Sequence, residues 1–75
     1  MHASQIDGQE VIRQVYGSLP DGTEPEVVKM GKNGARLVLK FGGRRKEVAR
    51  CNTGDTQLLV SRALDKLPRM TFGHA

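Results

Sequence analysis

Hydrophobic positions change their spacing twice along this chain. Val11, Ile12, Val15, Tyr16 and Leu19 fall on one helical stripe. From Glu26 to Cys51 the apolar residues come in short β-branched or alternating runs. From Leu58 the helical interval returns, with Leu59, Ala63 and Leu67 as its stripe, Val60 and Leu64 beside it and Leu58 at its edge. The order predicted is helix, three antiparallel strands, helix. Two amphipathic helices on one face of a meander sheet make a two-layer α+β domain.

Local signals place the boundaries. Asp7 is a candidate N-cap, Glu10 completes a capping box, and Ile6 with Val11 makes a hydrophobic staple, so the first helix runs from about Gly8 to Tyr16. Gly17 and Pro20 end it. Pro20-Asp21-Gly22-Thr23 is turn chemistry. The first strand is Glu26 to Met30, and Asn33-Gly34 tolerates the positive φ of a tight hairpin. In the next strand Ala35, Leu37, Leu39 and Phe41 share one face and Arg36, Val38 and Lys40 the other. Gly42-Gly43 forms a second turn, and the third strand spans Arg44 to Cys51.

The register of that third strand is open. A two-residue loop puts Lys46, Val48 and Arg50 beside the apolar face of its neighbour. A three-residue loop with a bulge puts Arg45, Glu47, Ala49 and Cys51 there. The second is preferred because it hides Ala49 and Cys51 and leaves Lys46 and Arg50 in water. The last helix starts near Asn52 or Thr53 as cap, with Asp55 in its first turn, and stops at Pro68. Residues 1–75 read as one domain, with an ordered core of about 6–68 and a loose tail at 70–75.

Composition narrows the function. A lone cysteine, Cys51, excludes an internal disulfide and reads as a small buried or half-buried apolar residue. Met1 to Gln5 lacks the features of a signal peptide, and the longest aliphatic run, Leu58-Leu59-Val60, is far short of a membrane span. A cytoplasmic location away from membranes is expected. The net charge is +4, unevenly spread: −4 over residues 1–28, +7 over 29–50 and +1 over 51–75. A positive middle third attracts polyanions.

Lys29, Lys32, Arg36, Lys40, Arg44, Arg45, Lys46 and Arg50 supply that charge, with Arg44-Arg45-Lys46 placed to straddle a phosphate backbone. Arg62, Lys66 and Arg69 line a polar face of the last helix and can extend the surface. The same charges also serve to keep sheet edges from pairing. Lys29, Arg36 and Lys40 are expected on the open sheet face. Tyr16 and Phe41 are expected in the core and Phe72 in the tail, which leaves no stacking platform for bases. Backbone or shape recognition is the form of binding indicated.

No catalytic, metal or cofactor set stands out. His2 and His74 lie near the termini, Asp7, Glu10 and Asp55 suit helix starts, and Cys51 has no evident base. The glycines of Gly31-Lys32-Asn33-Gly34 and Gly42-Gly43 fit hairpins and lack P-loop spacing. The expectation is a non-enzymatic protein with no cofactor.

Gly31-Lys32-Asn33-Gly34, the run Ala35-Arg36-Leu37-Val38-Leu39-Lys40-Phe41-Gly42-Gly43-Arg44-Arg45, and Thr53-Gly54-Asp55 at the last helix resemble small phage and prophage proteins of the HicA type. These are toxins of toxin–antitoxin pairs and their relatives, and the resemblance spans Gly31 to Met70. It implies a fold like a double-stranded-RNA-binding domain and a surface for RNA or protein. Members that cut RNA carry a histidine near the first hairpin, and Gly31-Lys32-Asn33-Gly34 has none. Three functions are therefore carried forward. The first is binding of nucleic acid, RNA before DNA, through the basic strands and hairpin. The second is a phage-type interaction module that inhibits or regulates a host protein complex, meeting an acidic protein or pairing with a second copy. The third is an RNA-cleaving toxin relative.

Overall fold

The computed structural model describes residues 6–69. The elements are α1 (Gly8–Val15), β1 (Glu24–Met30), β2 (Gly34–Phe41), β3 (Arg44–Cys51) and α2 (Thr56–Lys66), with short 3₁₀ turns at Tyr16–Ser18 and Leu67–Arg69. The sheet is antiparallel in the order β1-β2-β3. This is the expected α-β-β-β-α domain. No helix among the described residues is long and apolar enough to cross a membrane. His2, His74, Phe72 and the expected tail at 70–75 lie outside the described residues.

Asp7 caps α1 from an extended conformation, its carboxylate accepting from the amides of Gln9 and Glu10 at 3.1 and 3.2 Å. Ile6 and Val11 are both buried, as a staple requires. The capping box does not close. Glu10 turns to Arg13 and Gln14, and the Asp7 amide donates instead to Thr56 Oγ1 at 3.0 Å. That bond ties the starts of the two helices together.

Gly17 does not end α1 with a left-handed residue. The chain tightens into the 3₁₀ turn, closed by the Leu19 amide on the Tyr16 carbonyl. Tightening changes the phase of the apolar stripe. Tyr16, on the flank of that stripe, is 69% exposed and is not a core residue.

The cap of α2 is also corrected. Asp55 itself is the N-cap, accepting from the Leu58 amide at 3.2 Å, and neither Asn52 nor Thr53 holds that place. Gly54, at φ +75°, turns the chain just before it. Leu59, Val60, Ala63 and Leu67 are buried, while Leu64 remains partly exposed.

In the sheet, strand pairing puts Val27, Leu37 and Ala49 in one row and Ala35 with Cys51 in another, all on the face beneath the helices. Arg36 with Arg50, and Val38 with Glu26 and Glu47, occupy the open face. Neither register expected for β3 runs its full length. Gly42 and Gly43 both have positive φ, so the loop has two residues, with Phe41 opposite Arg44 and Lys46 opposite Leu39. A bulge at Val48 then shifts the pairing, placing Ala49 opposite Leu37 and Cys51 opposite Ala35. Val48 and Cys51 are three residues apart, which a regular strand would send to opposite faces. The bulge lets both reach the core, where each is buried. Arg45 and Glu47 thereby fall on the open face, not on the face of Ala35, Leu37 and Leu39.

Candidate nucleic-acid interface

Nine of the eleven predicted basic residues fall into three groups. Arg36, Lys40, Arg45 and Arg50 share the open face of the sheet. Arg44 and Lys46 stand at its hairpin end, both exposed. Arg62, Lys66 and Arg69 belong to α2 and the turn after it, on the other layer. Lys32 is exposed in the β1–β2 turn. Lys29 departs from expectation. It pairs with Ala35 on the helix side, and its Nζ donates to the Ile6 carbonyl at 2.7 Å. It holds the chain entering α1 against the sheet and does not belong to the open face.

Two glutamates organise the open face. Glu26 lies 3.7 Å from Lys40 Nζ and 3.2 Å from Arg45 Nη2. Glu47 meets Arg50 at 2.7 Å and Arg36 at 3.4 Å. Hydrogen bonding from Arg50, with a smaller share from Arg36, outweighs partial burial and holds the Glu47 carboxyl below the usual carboxylate range. Glu47 in turn raises the Arg50 guanidinium above its ordinary value. Beneath these side chains Val38 is buried, outside the main core, on the floor of a shallow depression walled by Arg36, Arg45 and Glu47.

The charge lattice is not what holds the sheet. Half-exposed ion pairs contribute ~0–1 kcal/mol each. A fully buried Leu contributes about 1.5–3 kcal/mol, and Leu37, Leu39 and Leu59 are fully buried. Loss of these ion pairs would therefore leave the fold's main support in place.

The sheet's basic end is concave. A cleft opens between the Gly42-Gly43 tip and the turn at Gly22, lined by Lys40, Phe41, Arg44 and Arg45, with Glu24 as its carboxylate. Gly42 and Gly43 bring bare backbone to its wall. Arg44 has no ion-pair partner among the described residues. Period-two alternation in β1 sets Glu24 and Glu26 on the face opposite Val27 and Lys29, so expecting Lys29 on the open face hid these counterions. That Tyr16 is exposed left none.

Arg62 Nη1 donates to the Arg50 carbonyl at 3.0 Å, clamping α2 to the end of β3. Lys66 and Arg69 are exposed beyond it. These three do not join the hairpin cleft. Cys51 is buried, as expected, with its Sγ 3.2 Å from Thr53 Oγ1. Burial pushes the thiol up, but hydrogen bonding at Thr53 and Asp55 and the nearby Arg62 charge outweigh it and set the thiol below its ordinary value. Among the described residues no group of His, Cys, Asp and Glu gathers to hold a metal ion. No family model, curated protein or solved structure matches this chain.

Proposed function

We propose that this chain is a small, non-catalytic nucleic-acid-binding domain that grips phosphates at the end of the β2–β3 hairpin. The observation that carries this reading is the cleft lined by Lys40, Arg44 and Arg45, with Glu24 as the carboxylate of its lining and Glu26 beside it on Lys40 and Arg45. A phosphate is a better partner than water for guanidinium groups arranged in this way, because the bond is charge-assisted and can be bidentate. Lys46, exposed on the other face of the same strand and outside the cleft, can reach a neighbouring phosphate of the same ligand. The preference for RNA over DNA rests only on the resemblance to HicA-type proteins.

The test is a charge-reversed variant carrying Arg44→Glu, Arg45→Glu and Lys46→Glu. All three side chains are exposed, so the variant stays folded. Its affinity for short RNA is expected to fall by at least about tenfold, since each phosphate contact carries much of the binding at moderate salt. Binding equal to the parent would put the site elsewhere.

A second reading, a module for an acidic protein partner, is favoured by one observation. The open face fixes Arg36, Lys40, Arg45 and Arg50 in a defined pattern around Glu26 and Glu47, over the buried Val38. Patterned charge over an apolar floor suits protein recognition. One stoichiometric protein partner retained after nuclease treatment, and lost on Arg36→Glu, would favour it.

A further inference from the structure

We infer that Tyr16 is a stacking platform for one unpaired base of a strand whose phosphates reach Arg44 and Arg45, so that the surface selects single-stranded over double-stranded nucleic acid. This rests on the phosphate-binding reading above and adds the form of nucleic acid to it.

The sequence pattern assigns Tyr16 to the core, but the structure leaves it 69% exposed, the most exposed of the large apolar residues among those described. It sits in a depression with Leu19, Pro20 and the turn that follows. That turn is held by the Thr23 amide and hydroxyl, both donating to the Pro20 carbonyl. The turn beside the ring is thus held before any ligand arrives.

Gly22 lines both this depression and the basic cleft, so the two adjoin. At φ +84° it takes a backbone form that favours glycine, and a β-carbon there would sit 3.7 Å from the Phe41 ring. The partition between the two hollows is therefore bare backbone.

Charge sorts the two halves. Asp21 borders the Tyr16 hollow and Glu24 the near side of the cleft, and both repel phosphate. Arg44 and Arg45 lie on the far side. A strand crossing Gly22 would set its phosphates on the arginines and an uncharged base on the tyrosine. Aromatic stacking of this kind tolerates any base. A base paired inside a duplex cannot leave its stack to reach the ring without losing its partner.

Tyr16 is the sole tyrosine and the chain has no tryptophan, so its intrinsic fluorescence reports on this ring alone. The full chain is titrated with a short oligoadenylate, an abasic oligonucleotide of equal phosphate number, and a matched duplex. The oligoadenylate is expected to quench the tyrosine, while the abasic strand binds about tenfold more weakly and quenches nothing. Tyr16→Ala should lower affinity for labelled oligoadenylate about tenfold, leave its salt slope and duplex binding unchanged, and be rescued by Tyr16→Phe. Single-strand binding that still depends on Arg44 and Arg45, but shows no quenching and ignores Tyr16→Ala, overturns the stacking inference and leaves the phosphate reading intact. Absence of binding to every oligonucleotide at low salt overturns both.

Discussion

A β-carbon on Gly34 would stand 2.8 Å from the Met30 carbonyl oxygen and 3.2 Å from that of Cys51. Both obstacles are backbone, so neither can swing aside. This explains the residue better than the Asn-Gly turn signal does. The positive φ of the first hairpin falls on Gly31, at +62°, and no non-glycine residue among those described has one. Gly34 is needed because strands close on it from two sides. Gly34→Ala is expected to cost about 1–3 kcal/mol, seen as a lower urea midpoint with an unchanged slope. Gly17→Ala is the control, because nothing lies within 4 Å of its added carbon. An unchanged midpoint for Gly34→Ala would mean that the strands have room to part.

The elements were legible because each carries its own period and punctuation. Alternation in Ala35 to Phe41 set both faces of β2, and the pair Gly42-Gly43 marked its turn. What the sequence left undecided depends on contacts between distant segments. The bulge at Val48 answers the core's demand for Val48 and Cys51 together, and no local signal places it. Thr56, 49 residues from Asp7, takes the amide that Glu10 was expected to cap. Tyr16 leaves the core where the α-helix gives way to a 3₁₀ turn, one residue before its expected end. The caps themselves remain local and strong. Asp7→Ala should cost about 1 kcal/mol, lowering the melting temperature by ~4–8 °C for a domain of this size. A melting temperature within a degree of the parent would show that the Thr56 bond alone secures the start of α1.

Across the whole molecule, folding rearranges the charge that the chain order displays. Glu26 belongs to the acidic first third, yet it lies among the cations of the middle third and holds Lys40 and Arg45. The candidate site was legible as a basic segment, but not as a cleft with its own internal counterions. On the proposed reading, Glu26 competes with phosphate for those cations. Glu26→Gln releases two half-exposed ion pairs, each worth ~0–1 kcal/mol. It should raise nucleic-acid affinity several-fold, measured by anisotropy of a labelled oligonucleotide. A lower affinity would mean that Glu26 positions the cations and does not compete for them.

The proposed phosphate contacts at the hairpin end are tested most directly by a salt titration. The parent chain and a variant with Arg44→Gln, Arg45→Gln and Lys46→Gln are each titrated with short single- and double-stranded RNA and DNA. For the parent, log affinity should fall linearly with log salt. For single strands, the variant's slope should be shallower by about two units, as the loss of three phosphate contacts requires. Equal slopes for the two proteins, or no binding even at low salt, would contradict the assignment of this surface.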